Sequence, residues 1–272
     1  MRLLNVKPTR GQALVLAAIP FALTCFAYLL FSQLRLAENP NDKLLPSLGS
    51  MIQAINDLAF HADARTGQYI FWADTAASLQ RLGVALAIST IAALIVGVVM
   101  GLLPIAGTLL GPFVAVLSMA PPLALLPILF IVMGLGEASK IALIVIGSFP
   151  FLVRDLALRV SELPREQFLK AQTLGASTWQ IALRVALPQM LPRLADALRL
   201  TLGPAWLFLI AAEAIASDSG LGYRIFLVRR YLAMDVILPY VAWITLLAFL
   251  SDAALRWVQR RAFPWFVAAR AS

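Results

Sequence analysis

Apolar residues in this chain come in long runs separated by short polar stretches, and run length decides what each can become. From Ala13 to Leu34 there are 22 residues without a charge. At about 1.5 Å per residue they cross the roughly 30 Å hydrocarbon core of a bilayer. A signal peptide is the competing reading, but its apolar region is shorter, about 7–15 residues. Similar runs predict further spans at about 76–102, 111–133, 141–158, 198–216 and 236–255. The expected fold class is therefore an all-α integral membrane protein with about six transmembrane helices. Residues 35–73 are mixed and polar, and the amphipathic stretch Leu48 to Phe60 predicts a short helix on the membrane surface.

Prolines and glycines interrupt the pattern. Pro112, Pro121, Pro122 and Pro127 all fall within the third span. Each frees a backbone carbonyl, which is tolerated at membrane depth only when buried in protein or lining a cavity. Span three is thus a candidate wall of a translocation path, with a kinked packing helix as the alternative. Pro150 kinks span four in the same way. Gly97 and Gly101 form a G-x-x-x-G pair in span two, permitting close helix contact within the subunit or with a second copy.

The longest polar interruption of the C-terminal half runs from 164 to 188, PREQFLKAQTLGASTWQIALRVALP. Pro164 suits the first turn of a helix, and Glu166 complements the helix dipole there. Gly175 suits the left-handed position just past a helix end. Ser177 and Gln180 have capping-box spacing, so a second helix is expected from Thr178. Pro188 is expected to stop it. The segment reads as helix, glycine elbow, helix between spans four and five. Local physics alone allows either a connector on the membrane surface or a docking element.

Composition strengthens the membrane reading. Apolar residues make up 61% and charged residues 13%, with a mean hydropathy of +0.85; ordinary soluble domains have about 45–50% and about 25%. The net charge is +8. The basic residues are strung between apolar runs, with no aromatic-interleaved basic face, so lipid rather than nucleic acid is the expected partner. With the N-terminus inside, 14 of the 22 Lys and Arg fall on inner segments and 7 on outer ones, with Arg81 early in span two. That bias places both termini and the elbow in the cytoplasm.

Candidate chemistry is sparse. No G-x-x-x-x-G-K-[ST] phosphate loop is present, so ATP and its Mg are not expected to bind this chain. His61 has no second His or Cys as a metal partner, and Cys25 reads as a small core hydrophobe. No catalytic set emerges. Glu213, near the outer end of span five, is either functional or has a solvated or ion-paired structural role. Arg81 can attract an anion, snorkel to the interface or pair with Asp74. With Pro121, Pro122 and Trp206, these two residues make up the candidate translocation path.

The order of residues in the elbow resembles the cytoplasmic signature of bacterial ABC importer permeases, EAA-x3-G-x9-I-x-LP. It matches at Ala171, Gly175, Val185, Leu187 and Pro188. The family's Glu-Ala is replaced by Leu169-Lys170, with Glu166 or Lys170 as the possible substitute. Ser78-Leu79-x-Arg81, Pro121-Pro122 with Leu126-Pro127, Gly134-x-Gly136-Glu137-x-Ser139-Lys140 and Gly220-Leu221-Gly222 look like the nitrate/sulfonate/taurine branch, over roughly residues 72 to 265.

The resemblance implies a type I ABC importer transmembrane domain: a homodimer, two ATPase subunits that bind ATP and Mg, and an extracytoplasmic solute-binding protein. Coupling to the ATPase would involve Glu166, Leu169, Lys170, Ala171, Gly175, Ala176, Trp179, Leu187 and Pro188. The expected organisation is a cytoplasmic N-terminus over 1–12, a first span over 13–34 and an extracytoplasmic segment over 35–73. A permease core over 74–265 and a cytoplasmic tail over 266–272 complete it. Two other classes compete. An ion-gradient-driven secondary transporter would show inverted repeats and midplane ionisable residues, and an integral-membrane lipid enzyme would need a surface cluster of His, Asp or Ser.

Overall fold

A computed structural model describes residues 8–40, 42–64 and 66–271, and every regular element among them is helical. Arg2, Lys7 and Arg65, used above in the charge tally, lie outside the described residues. The chain divides into two compact units.

The first unit holds α1 (Arg10–Glu38), α2 (Leu48–Phe60) and residues 228–241. Helix α1 opens with a capping box between Thr9 and Gln12 and exposes Leu14, Phe21 and Phe26, which suits a lipid-facing span. Cys25 is exposed on it rather than buried in a core. The connection to α2 folds back along α1. Tyr28 Oη donates to the Pro46 carbonyl at 2.7 Å and Ser32 Oγ to the Leu45 carbonyl at 3.0 Å. Asp42 accepts from the Leu44 N–H and pairs with Arg35, and these hold its carboxyl below the usual carboxylate range. The amphipathic stretch is a helix, as expected, and His61 sits exposed at its end.

The second unit takes residues 70–227 and 242–272. It begins with α3 (Ile70–Leu102), followed by α4 (Pro104–Met119), α5 (Pro122–Met133) and α6 (Glu137–Ser161). The elbow helices α7 (Arg165–Thr173) and α8 (Thr178–Ile181) lead through a π-helical turn at Ala182–Ala186 into α9 (Leu187–Ile215). Helix α10 (Leu221–Val228), the later part of α11 (Met234–Ala262) and α12 (Pro264–Ala271) complete the chain. Five helices are long and apolar enough to cross a membrane. A sixth span results if α4 and α5, which meet at 95°, count as one broken span. The expected break falls at Ala120–Pro121, beside the Pro121-Pro122 pair, whereas Pro112 and Pro127 lie inside α4 and α5.

Helices α3, α6 and α9 surround one core, including Ala93, Val98, Leu152, Leu156, Met190 and Leu194. Glycine controls how closely they approach. A Cβ on Gly97 would lie 2.8 Å from Leu156 Cβ, and one on Gly101 would lie 2.4 Å from Val160 Cβ. The G-x-x-x-G pair therefore serves α3–α6 contact within the subunit. On the next face of α6, a Cβ on Gly147 would meet the Phe208 ring of α9 at 2.2 Å.

Three boundaries differ from expectation. Helix α3 starts six residues early, because Asp74, Thr75, Ser78 and Arg81 are buried with partners rather than solvated. Helix α6 starts at Glu137, four residues before the expected span at about 141. Pro188 does not stop its helix. Proline lacks an N–H and its ring crowds the carbonyl four residues back. The π turn answers both problems, since the Leu187 N–H bonds to the Ala182 carbonyl and the widened turn makes room.

Candidate functional site

The elbow is built entirely from local chain chemistry. Pro164 caps α7, which ends in a Schellman motif: Ala176 N–H donates to the Ala171 carbonyl at 2.9 Å and Gly175 N–H to the Gln172 carbonyl at 2.9 Å. That geometry needs a left-handed residue, and Gly175 has φ of 78°. Immediately afterwards Ser177 Oγ accepts from the Gln180 N–H, and the Gln180 side chain accepts from the Ser177 N–H at 2.8 Å. One helix is thus terminated and the next started within four residues.

The elbow is also fastened at both ends. Leu163 is buried and Phe168 packs against the α3/α6/α9 core. Gln189 Nε2 donates to Gln167 Oε1 at 2.9 Å, tying α7 to α9. Glu166, Leu169, Lys170, Gly175 and Pro188 are exposed, and Ala171, Ala176 and Leu187 are half-buried. Leu169, Leu174 and Trp179 are 60%, 87% and 70% exposed. A polar connector presenting three large apolar side chains has the composition of a contact surface.

At the other end of the same helices lies a buried charge cluster. Asp74, Ser78 and Arg81 are spaced i, i+4, i+7, which puts them on one face of α3. Arg81 Nη1 donates to Glu213 Oε1 at 2.7 Å and to the Ser219 carbonyl at 2.7 Å. The rest of its guanidinium grips Glu137 bidentately, Nε to Oε2 at 2.5 Å and Nη2 to Oε1 at 2.9 Å. Lys140 Nζ reaches the same Glu137 oxygen at 2.9 Å. Asp74 pairs with Arg224 at 2.8 Å, so of the three alternatives open for Arg81, pairing with Asp74 is not the one realised. Glu137 and Glu213 lie on its guanidinium instead.

Three consecutive backbone amides close the cluster. Gly220 N–H donates to Asp74 at 2.9 Å, Leu221 N–H to Ser78 at 2.9 Å, and Gly222 N–H to Glu213 at 2.8 Å. Gly220 has φ of 121°, and a Cβ there would lie 2.5 Å from the Glu213 carboxyl. Only glycine brings backbone this close. The Ser78-Leu79-x-Arg81, Gly136-Glu137-x-Ser139-Lys140 and Gly220-Leu221-Gly222 stretches, far apart in the chain, converge here. Sequence reasoning singled out Arg81 and Glu213 as site residues but missed their partners Ser78 and Glu137, and Lys140, which shares Glu137 with Arg81. The i, i+4, i+7 spacing was the available signal.

The remaining path candidates separate. Pro121 caps α5, and Pro122 lines a cleft of about 840 Å³ together with Ser118, Ser148, Arg154, Thr201 and Phe208. Arg154 donates to Ser118 Oγ at 2.8 Å across it. Trp206 is buried away from the cleft lining, with its indole N–H unpaired among the described residues.

Residues 89–264 match the family model described as a binding-protein-dependent transport system inner membrane component. The chain belongs to this family. The permease is 39% identical over 194 residues to the taurine transport system permease protein TauC of Escherichia coli, covering 71% of this chain and 70% of that one. It is 28% identical to the nitrate import permease protein NrtB of Leptolyngbya laminosa, covering 91% and 88%. It is 31% identical to the putative aliphatic sulfonates transport permease protein SsuC of E. coli, covering 58% and 60%. Its fold resembles the MetNI methionine ABC transporter in inward-facing conformations, with a TM-score of 0.63 at 20% identity, over 73% of this chain and 99% of that one. The chain is thus a multi-pass membrane permease subunit of the ABC importer class, with the type I transmembrane fold. The gradient-driven transporter and the lipid enzyme are set aside.

Proposed function

We propose that this permease imports small organic or inorganic oxyanions, as a homodimer driven by two ATPase subunits and fed by an extracytoplasmic binding protein. The relatives named for taurine, nitrate and aliphatic sulfonates support the substrate class. ATP and Mg belong to the ATPase partner. Both termini and the elbow face the cytoplasm of a bacterial inner membrane, in keeping with the excess of basic residues on those segments.

The elbow carries the coupling reading. Leu169, Leu174 and Trp179 stand exposed on a segment that is pinned at Leu163, Phe168 and Gln167. When ATP closes the ATPase pair, a docked elbow is pushed sideways. Its attachment to α6 and α9 turns that push into a tilt of both spans, because packed helices shift as units. The π turn at 182–186 is the flexible joint of the lever. Glu166 and Lys170 contribute polar contacts at the docking face, and Gly175, Ala171, Ala176, Leu187 and Pro188 shape it. The cleft at Pro122 forms part of the path, with Pro121 setting the bend of its wall and Trp206 packing behind it.

Gly175→Val tests the coupling reading. A β-branched residue at φ of 78° is strained, so the Schellman end should open while the spans still insert. ATPase association, or binding-protein-stimulated ATP hydrolysis, should fall at least tenfold. Unchanged uptake with unchanged co-purification of the ATPase would sink the idea.

A further inference from the structure

Glu137 is an odd partner for two buried cations. The Arg81 and Lys140 side chains are 6% and 4% exposed, whereas the Glu137 side chain that bridges them is 58% exposed. Glu213 is the opposite case, wholly buried and held by Arg81, Ser78 and the Gly222 amide. Among the described residues Glu137 has only the two cations as side-chain partners, and Lys140 Nζ has only Glu137. Charge counting sharpens the contrast. Arg81 and Lys140 bring two positive charges and Glu213 one negative, while the neighbouring Asp74–Arg224 pair is neutral. One positive charge is left for Glu137 to balance. If its side chain swings out to solvent, that charge stays behind with an Arg fork and a Lys ammonium aimed at one spot.

We propose that Glu137 is a built-in stand-in for a monovalent oxyanion, which replaces it on Arg81 and Lys140. The site this creates takes a sulfonate, a nitrate or a similar planar or tetrahedral anion. Two oxygens of such an anion meet Arg81 Nε and Nη2 as the Glu137 carboxylate does, and Lys140 adds charge on one of them. Exchanging one monoanion for another keeps the cluster neutral, so no buried cation is left unpaired once the swap is complete. A dianion or a cation would leave it unbalanced.

The position fits an entry site. The cluster joins the first turns of α3, the first turn of α6 and the last turn of α9. The elbow joins the opposite ends of α6 and α9. An anion taken up at Glu137 therefore enters the bundle at the end remote from the ATPase. This rests on the permease reading above and names the residues that would meet the substrate.

The test uses the full-length chain in lipid nanodiscs, with sodium methanesulfonate as the probe and sodium chloride holding ionic strength constant. Thermal unfolding is followed as a function of methanesulfonate. Glu137→Gln, whose neutral amide competes poorly for the cations, should reach half-maximal stabilisation at a concentration at least tenfold lower than the wild type. Lys140→Met in the Glu137→Gln background should abolish that response. Glu137→Asp keeps the charge but is one methylene shorter and cannot bridge both cations, so it should fall between the two. Equal responses of Glu137→Gln and wild type overturn the proposal. Should Glu137→Gln not fold, a wild-type response from Glu137→Asp overturns it equally. The permease reading is judged separately, by whether an ATPase accompanies the chain. Its survival beside a Glu137-independent response would fault the anion site alone.

Discussion

Arg81 and Glu213 stand 132 residues apart in the chain and meet at 2.7 Å between two apolar helices. Neither has solvent to fall back on, since Glu213 is fully buried and Arg81 nearly so. Removing Arg81 leaves the buried Glu213 carboxylate without a cation, and removing Glu213 leaves Arg81 and Lys140 to share Glu137 alone; breaking a buried pair in this way typically costs about 3–5 kcal/mol. Arg81→Met and Glu213→Leu should each lower the thermal unfolding midpoint of the detergent-solubilised chain markedly. The double variant should recover much of the loss, because a buried ion pair can be exchanged for apolar residues at little cost. A double variant whose loss equals the sum of the singles would mean that the two charges do not act as a pair.

Gly220→Ala should disturb the same cluster from the backbone side. Its φ of 121° is unsuited to an L side chain, and the added methyl would meet the Glu213 carboxyl at 2.5 Å. The strain alone is worth about 1–3 kcal/mol, with the displaced carboxylate in addition. At Gly134, φ is 77° but there is open space around a Cβ. Gly134→Ala should therefore cost less, and the difference between their unfolding midpoints reports the Glu213 contact.

Gly101 and Gly83 lie on the same helix and predict opposite signs. A Cβ at Gly101 meets Val160 Cβ at 2.4 Å, while one at Gly83 meets nothing within 4 Å. Gly101→Ala should destabilise by about 1–3 kcal/mol, as overpacking does. Gly83→Ala should be neutral or stabilising by up to about 1 kcal/mol through helix propensity. Thermal unfolding of the two variants side by side decides this.

Leu174→Asp and Trp179→Asp change side chains that are 87% and 70% exposed. Stability should move by about 0.5 kcal/mol or less. Co-purification of the ATPase should nevertheless fall several-fold, because the apolar contact surface is lost. Variants that destabilise the chain without weakening ATPase binding would count against the elbow as a docking face.

The spans were legible because a bilayer demands about 20 apolar residues in a row, a signal that survives without any tertiary knowledge. The elbow was legible for a different reason. Gly175, Ser177 and Gln180 satisfy one another within a few residues, so their chemistry is written locally. The continuation through Pro188 was not, because a π turn takes up the proline only when the flanking helix is held by packing at Ala186 and Met190. The charge cluster was half legible. Arg81 and Glu213 announce themselves as charges in apolar segments, but the choice of Glu137 over Asp74 as the second partner of Arg81 depends on contacts 56 residues away. Gly220-Leu221-Gly222 carried no visible chemistry until three amides were seen to face Asp74, Ser78 and Glu213.

The central claim is that this chain is the membrane half of an ATP-driven importer and takes its energy through the elbow. Affinity purification of the intact chain from its native membrane in mild detergent, with identification of what accompanies it, tests that most directly. A stoichiometric ATPase subunit, lost when Gly175 is replaced by valine, is the predicted result. A chain that purifies alone with its elbow intact would contradict the account.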